Sequence, residues 1–160
     1  MKALSKSRFK QGLECPNKLF FSNNKEVYHN VKNEDTFLQA LASGGFQVEE
    51  YARLQYPGGV LIEDPEDREN YVYQDLANQT SELLKQENVV IYEAAFYIDD
   101  LFIRTDVLVK KGAHIKLIEV KAKSIDPSEA YNFVGKSKKI VSSWKPYLFD
   151  LAFQTYVTQR

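Results

Sequence analysis

The sequence predicts an α+β domain in which a three-stranded antiparallel meander over residues 89–122 is flanked in the chain by helices. Three observations carry that expectation. Residues 116–124 alternate along a pleat, with Ile118, Val120 and Ala122 on one side and Glu119, Lys121 and Lys123 on the other. Residues 89–98 and 101–109 have the β-branched and aromatic content of strands. Asp99-Asp100 and Lys110-Lys-Gly-Ala113 supply the turns between the three, whereas the segments before and after repeat their apolar residues at three and four.

Taken in order, residues 5–24 begin as a short helix with Ser5 at the N-cap and Phe9 and Leu13 on one face. Pro16 interrupts it, and residues 18–21 start a second turn. Residues 33–41 read as a helix through Phe37, Leu38 and Leu41, ended or interrupted by Gly44-Gly45. The helical pattern resumes over 46–54 with Glu49 and Glu50, until Tyr56-Pro-Gly-Gly59 turns the chain. Val60-Leu-Ile62 is too short to classify by period, and residues 64–67 read as a turn and helix start. Residues 70–86 form a helix through Tyr73, Leu76, Ala77, Thr80, Leu83 and Leu84. After the meander, a turn at 125–127 leads into a basic helix through Trp144. Past Pro146, residues 147–157 make a last amphipathic helix, with Leu148, Leu151, Ala152 and Tyr156 near one face and Gln154 beside it.

With 160 residues, 44% of them hydrophobic, the chain suffices for one core, so residues 1–160 are expected to form a single domain. There is no apolar run long enough to span a bilayer and no secretory core in residues 1–9, which predicts a cytoplasmic protein without a membrane partner. The single cysteine, Cys15, excludes an internal disulfide or a multi-thiolate metal site within this chain. The net charge of −1 hides a division: residues 46–100 hold thirteen acids and three bases, while residues 110–145 hold nine lysines and three acids. A polyanion would be drawn to the second segment, where Lys123, Lys136, Lys138 and Lys139 lie, although such a run is also an ordinary solvated face.

The polar side of the third strand is where chemistry is expected. Hydrolysing a phosphodiester needs a positioned, activated water and cations to absorb charge on the phosphate. Magnesium or manganese held by one or two carboxylates supplies both. Asp106, followed after twelve residues by Glu119-Val-Lys121, offers a carboxylate from each of two neighbouring strands. The Val120 backbone carbonyl is a third oxygen, and Lys121 is an amine to hold or deprotonate water or to steady the phosphate. Glu93, one strand back, is expected to face the same surface. His29 and His114 have no partner pattern, so neither a triad nor a zinc site is favoured.

Four segments in order, Ile-Tyr-Glu93-Ala-Ala-Phe, Arg-Thr-Asp106-Val-Leu-Val, Ile-Glu119-Val-Lys121-Ala-Lys-Ser and Asp150-Leu-Ala-Phe-Gln154-Thr-Tyr156, resemble the motifs of PD-(D/E)XK nucleases of the RecB type, the group that includes the CRISPR-adaptation exonucleases. The opening Leu4-Ser-Lys-Ser-Arg-Phe and Cys15-Pro16 resemble the start of the same group, nearest an uncharacterised bacterial branch. The resemblance implies a restriction-endonuclease-like fold, a mixed sheet flanked by helices, and cleavage of DNA with Mg2+ or Mn2+. It places Asp106 and Glu119 as metal ligands, Lys121 as the active-site lysine, and Gln154 and Tyr156 as supporting or DNA-touching residues. An acid on the early helix, Glu49 or Glu50, would join the ligands. Many relatives carry an iron-sulfur cluster on one early and three late cysteines, which Cys15 alone cannot complete. The chain also stops at Arg160, where that fold usually adds another strand, so the expectation is either a minimal member or part of a longer protein with a further domain. The alternative expectation is a nucleic-acid-binding or scaffolding module that keeps the fold without turnover.

Overall fold

The chain folds around one long hairpin. The computed structural model describes residues 3–24, 26–28, 35–64, 72–128 and 131–160, leaving aside the side chains of 37–39 and 41–43. Its elements in order are β1 (Leu4–Ser5), α1 (Lys6–Glu14), α2 (Pro16–Asn23), α3 (Thr36–Leu54), β2 (Val60–Leu61), α4 (Tyr73–Leu83), β3 (Asn88–Ile98), β4 (Leu101–Lys111), β5 (His114–Ile118) and α5 (Lys145–Thr158), the last entered through a 3-10 turn at Ser142–Trp144. Strands β3 and β4 pair antiparallel from Asn88↔Lys111 to Ile98↔Leu101. Asp99 and Asp100 both take positive φ, 49° and 60°, the backbone of a two-residue turn whose twist matches that of the strands. With β5 antiparallel to β4, β1 parallel to β4 and β2 parallel to β3, the result is a five-stranded mixed sheet.

Two strands share one edge of β4 without sharing the same stretch of it. β1 pairs with Leu101 and Phe102, β5 pairs with residues 107–111, and among the described residues the stretch 103–106 between them has a strand neighbour only on the β3 side. The chain leaves both short strands beside that gap. β1 runs directly into α1 at Lys6, and β5 ends at Ile118, so Lys6 and Glu119 are each the first residue released next to the notch.

Two apolar clusters fix the notch in place. On one, Ile91, Ala95, Phe102 and Leu108 of the hairpin pack with Leu76 of α4. Past the end of β2, the free edge of β3 is satisfied by α4: the Ala95 N–H donates to Thr80 Oγ1 at 2.9 Å, and that hydroxyl donates to the Leu76 carbonyl at 3.3 Å. In the second cluster Ile103 packs with Phe153 and Val157 of α5. The rings of Phe9 and Phe153 stack at 4.4 Å, joining α1 to α5.

Several expectations are corrected. Residues 36–54 form one helix, because Gly44-Gly45, at a cost of about 1 kcal/mol each relative to alanine, lie between helix formers and do not break it. The third strand ends at Ile118 and not at residue 122. The Val120 N–H, which would have continued the ladder, donates instead to Asp106 Oδ2 at 2.6 Å. The basic helix expected over 128–144 does not form among the described residues: the chain there makes turns, an isolated Val134↔Ile140 bridge and the 3-10 turn. Asn132, Gly135, Ser137 and the β-branched Val134, Ile140 and Val141 are poor helix formers, and Lys138 sits at φ 57°. The final helix starts at Lys145, with Pro146 inside its first turn, where a missing N–H costs nothing. It buries Asp150, Phe153, Gln154 and Val157, leaving Leu151 and Tyr156 exposed, so the expected apolar face is not the packed one. The starts placed at residues 33 and 70, the turn over 65–67, His29 and the side chains of Phe37, Leu38 and Leu41 lie outside the described residues. Among the described residues no helix is long and apolar enough to cross a membrane.

Candidate active site

The notch gathers five side chains from four separate parts of the chain. Asp106 comes from β4, and Glu119 and Lys121 from the segment just after β5. Lys6 comes from the first turn of α1 and Gln154 from α5. Lys6 Nζ donates to both carboxylate oxygens of Glu119 at 3.1 Å. The same ammonium lies 3.6 Å from Asp106 Oδ1 and donates to the Arg104 carbonyl at 3.3 Å. Lys121 Nζ is bonded to Glu119 Oε1, lies 3.9 Å from Asp106 Oδ2, and donates to the Val120 carbonyl at 2.9 Å. Gln154 Nε2 donates to Glu119 Oε2 at 2.7 Å and reaches Asp150 Oδ1 at 3.4 Å, while Lys10 Nζ stands 3.6 Å from Asp150 Oδ2.

These contacts set the electrostatics. Burial alone would raise the pKa of Glu119, but Lys6, with hydrogen bonds from Lys121 and Gln154, outweighs it and holds the carboxyl below its usual range. Burial would lower the pKa of Lys6; Asp106 and Glu119 reverse that and keep its ammonium above the usual lysine value. Asp150, fully buried, is pushed up by burial against the opposing pull of Lys6.

Beside the notch opens a cleft of about 440 Å3 whose wall includes Lys6, Glu49, Arg53, Glu93, Arg104 and Asp106. The pairs Tyr92↔Val107 and Ala94↔Thr105 bracket Glu93 opposite Asp106. Glu93 holds a left-handed backbone, φ 56°, which costs a non-glycine residue about 1–2 kcal/mol and is over-determined here by two arginines. Arg53 Nη2 contacts its Oε1 at 3.2 Å and Arg104 Nε its Oε2 at 3.4 Å. Its pKa is raised, by burial first, with Arg104 opposing and Asp106 adding. Glu49 is raised too, by burial and then by repulsion from Asp106 and Glu93.

Of the expected site residues, Asp106, Glu119, Lys121 and Gln154 converge at the notch, and Glu93 and Glu49 line the adjoining cleft. Glu50 lines a different hollow with Gln47, Tyr51 and Leu54, so between the two early-helix acids the geometry brings Glu49 to the site. Tyr156, two residues from Gln154, falls roughly on the opposite side of α5, half exposed beneath the Arg160 guanidinium at 4.9 Å. Lys123 Nζ is 4.1 Å from the Trp144 ring and 5.1 Å from that of Tyr147. Lys136 lies 5.8 Å from the Tyr131 ring, and Lys138 and Lys139 sit on the same exposed turn, apart from the carboxylates. Residues that the sequence pattern did not single out are Lys6, Arg53, Arg104 and Asp150. For Lys6 one signal was available: a cation in the first turn of a helix opposes the helix dipole, which calls for a nearby acid.

Among the described residues no three or more His, Cys, Asp and Glu side chains converge as a metal-binding group. The donors at the notch are two carboxylates and backbone carbonyls, all oxygen, and an ammonium already stands between the carboxylates as a stand-in cation. A magnesium or manganese ion asks for little more, since it keeps most of its ligand positions for water and substrate phosphate. The residues present therefore fit such an ion. Compared with protein-family models, with curated proteins and with solved structures, the chain matches none.

Proposed function

We propose that the chain is a metal-dependent nuclease domain of restriction-endonuclease-like, RecB-type fold that hydrolyses phosphodiester bonds of DNA at ends or in single strands. The single observation that carries this reading is the shared ammonium. Asp106 and Glu119, brought from different segments, lie within 3.6 Å of one cation, with the Lys121 amine against the same carboxylates. The ordered resemblance of four segments supplies the nucleic-acid substrate, and the five-stranded mixed sheet with its helices is compatible with the fold.

In this reading Asp106, Glu119 and the Val120 carbonyl would hold Mg2+ or Mn2+, with Glu49 as a further carboxylate on the cleft wall. The bound ion would neutralise charge on the phosphate and acidify a water. Lys121 steadies the attacking water or the phosphate, and Gln154 fixes the orientation of Glu119. Arg104, Arg53 and Glu93 shape the cleft through which the strand approaches. Lys123 with Trp144 and Tyr147 offers a cationic and stacking surface nearby, the pairing that single-stranded nucleic acids use.

A second reading, a nucleic-acid-binding module without turnover, is favoured by one fact: every oxygen of Glu119 already has an internal partner, and Asp106 Oδ2 accepts from Val120 N–H. A Mg2+-dependent cleavage assay on end-labelled single- and double-stranded DNA separates the two. The nuclease reading expects cleavage that Asp106→Ala and Lys121→Ala each reduce by about 100-fold or more. Metal-independent DNA binding with no cleavage would overturn it in favour of the second.

A further inference from the structure

We propose that Lys6 is the resident counter-cation of the Asp106–Glu119 pair, and that a divalent ion enters the notch by displacing the Lys6 ammonium. The inference rests on the reading of these two carboxylates as the cation site. The oxygens around Lys6 Nζ are both carboxylate oxygens of Glu119 at 3.1 Å, Asp106 Oδ1 at 3.6 Å and the Arg104 carbonyl at 3.3 Å. That is a hard-cation cage of carboxylate and carbonyl donors, filled by an amine from the protein itself.

Local helix chemistry gives no reason for the arrangement. Lys6 is the first residue of α1, at the positive end of the helix dipole, where a cation is disfavoured. The pull therefore comes from the carboxylates. Lys121 cannot substitute for it as the entry gate: Lys6 is part of the cleft wall together with Glu49 and Glu93, whereas the Lys121 amine is tied back to the Val120 carbonyl at 2.9 Å. With both lysines in place, two positive charges balance Asp106 and Glu119. A divalent ion added without displacement would stand against two ammonium groups whose charge Asp106 and Glu119 already balance, with Glu49 on the cleft wall as the further carboxylate. The four-carbon stem of Lys6 lets the ammonium swing into the cleft without moving α1, which the Phe9–Phe153 stack anchors.

Removing the Lys6 charge must then do two opposite things: weaken the metal-free fold and tighten metal binding. The test measures Mn2+ binding to the full chain by the electron paramagnetic resonance signal of free Mn2+, alongside thermal unfolding with and without the ion. Lys6→Met is expected to bind Mn2+ on the order of ten- to hundredfold more tightly than the unsubstituted chain, the scale of losing one nearby like charge, while its metal-free melting temperature falls. Lys6→Gln, which keeps hydrogen-bond donors, guards against a misfolded Lys6→Met and is expected to tighten binding likewise; Lys6→Arg is expected to stay near the unsubstituted affinity. Unchanged or weaker Mn2+ binding by both neutral variants, in a chain whose binding is abolished by Asp106→Asn, overturns the role of Lys6 alone. Mn2+ binding that is undetectable in every variant, or unaffected by Asp106→Asn, overturns the cation-site reading and this inference with it.

Discussion

The notch beside β4 and the turn-rich segment between residues 125 and 144 are built from the same kinds of residue, acids and lysines, yet they use them differently. At the notch and its cleft, charge is held across the fold, Lys6 by Glu119, Glu119 by Gln154 and Glu93 by Arg53, while Lys121 is also tied to its chain neighbours Glu119 and Val120. In the other segment the contacts stay within the segment, such as Asp126 accepting from Ser128 and the Trp144 indole donating to the Asn132 carbonyl, and Lys136, Lys138 and Lys139 are exposed, Lys136 near the Tyr131 ring. Charge bonded across the fold is partly dehydrated and fixed in position. Charge that meets only its neighbours stays hydrated, free to be lent to a polyanion. The comparison teaches that composition locates charge while topology decides what the charge is for.

The largest way to break the notch is to remove its support. Phe153 is buried and stacked on Phe9, so Phe153→Ala is expected to cost about 3–5 kcal/mol of stability in urea melts and to loosen α1 and α5 together. Next comes Gln154→Ala, expected to cost about 1–3 kcal/mol, the penalty of leaving buried partners unmatched. It should also lower any metal-dependent cleavage, because Glu119 loses the donor that orients it.

A pH series sharpens the comparison further. Glu119 has a folded pKa below its unfolded value, so its contribution to stability is complete above about pH 4.3 and is lost as pH falls through the lower, folded value. Glu119→Gln should flatten that part of the acid limb of melting temperature against pH in metal-free buffer. Asp150 and Glu93 carry the opposite sign, since their raised values make ionisation costly as pH climbs from the unfolded to the folded pKa. The smallest effect belongs to the other region. Replacing Lys136, Lys138 and Lys139 together by Ala should change stability by no more than about 0.5 kcal/mol, yet reduce the salt dependence of DNA binding by roughly one unit of slope for each phosphate left without its lysine.

What the sequence disclosed is the part governed by near neighbours. β-Branched and aromatic content and the Asp99-Asp100 turn made the β3–β4 hairpin legible, and the spacing from Asp106 to Glu119 and Lys121 led to residues that do meet. β1 and β2, of two residues each, have no period to read and exist only because a long strand offers them an edge. In α5 the apolar periodicity pointed to a face of Leu148, Leu151, Ala152 and Tyr156 with Gln154 beside it, whereas the polar Asp150 and Gln154 are themselves buried, where Lys10 and Glu119 meet them. Lys6 was invisible as a partner: 113 residues separate it from Glu119, and no local pattern spans that distance.

The gap that β1 and β5 leave along β4 has one more consequence. Uncovered strand backbone is an adhesive, inviting a foreign strand to zip onto it and start aggregation. Here the open stretch at residues 103–106 is plugged by the Lys6 amine on the Arg104 carbonyl and by a clustered pair of acids, a lining into which another chain's backbone could not settle. Charges set along the free edge of a strand disfavour pairing with a second copy of the molecule.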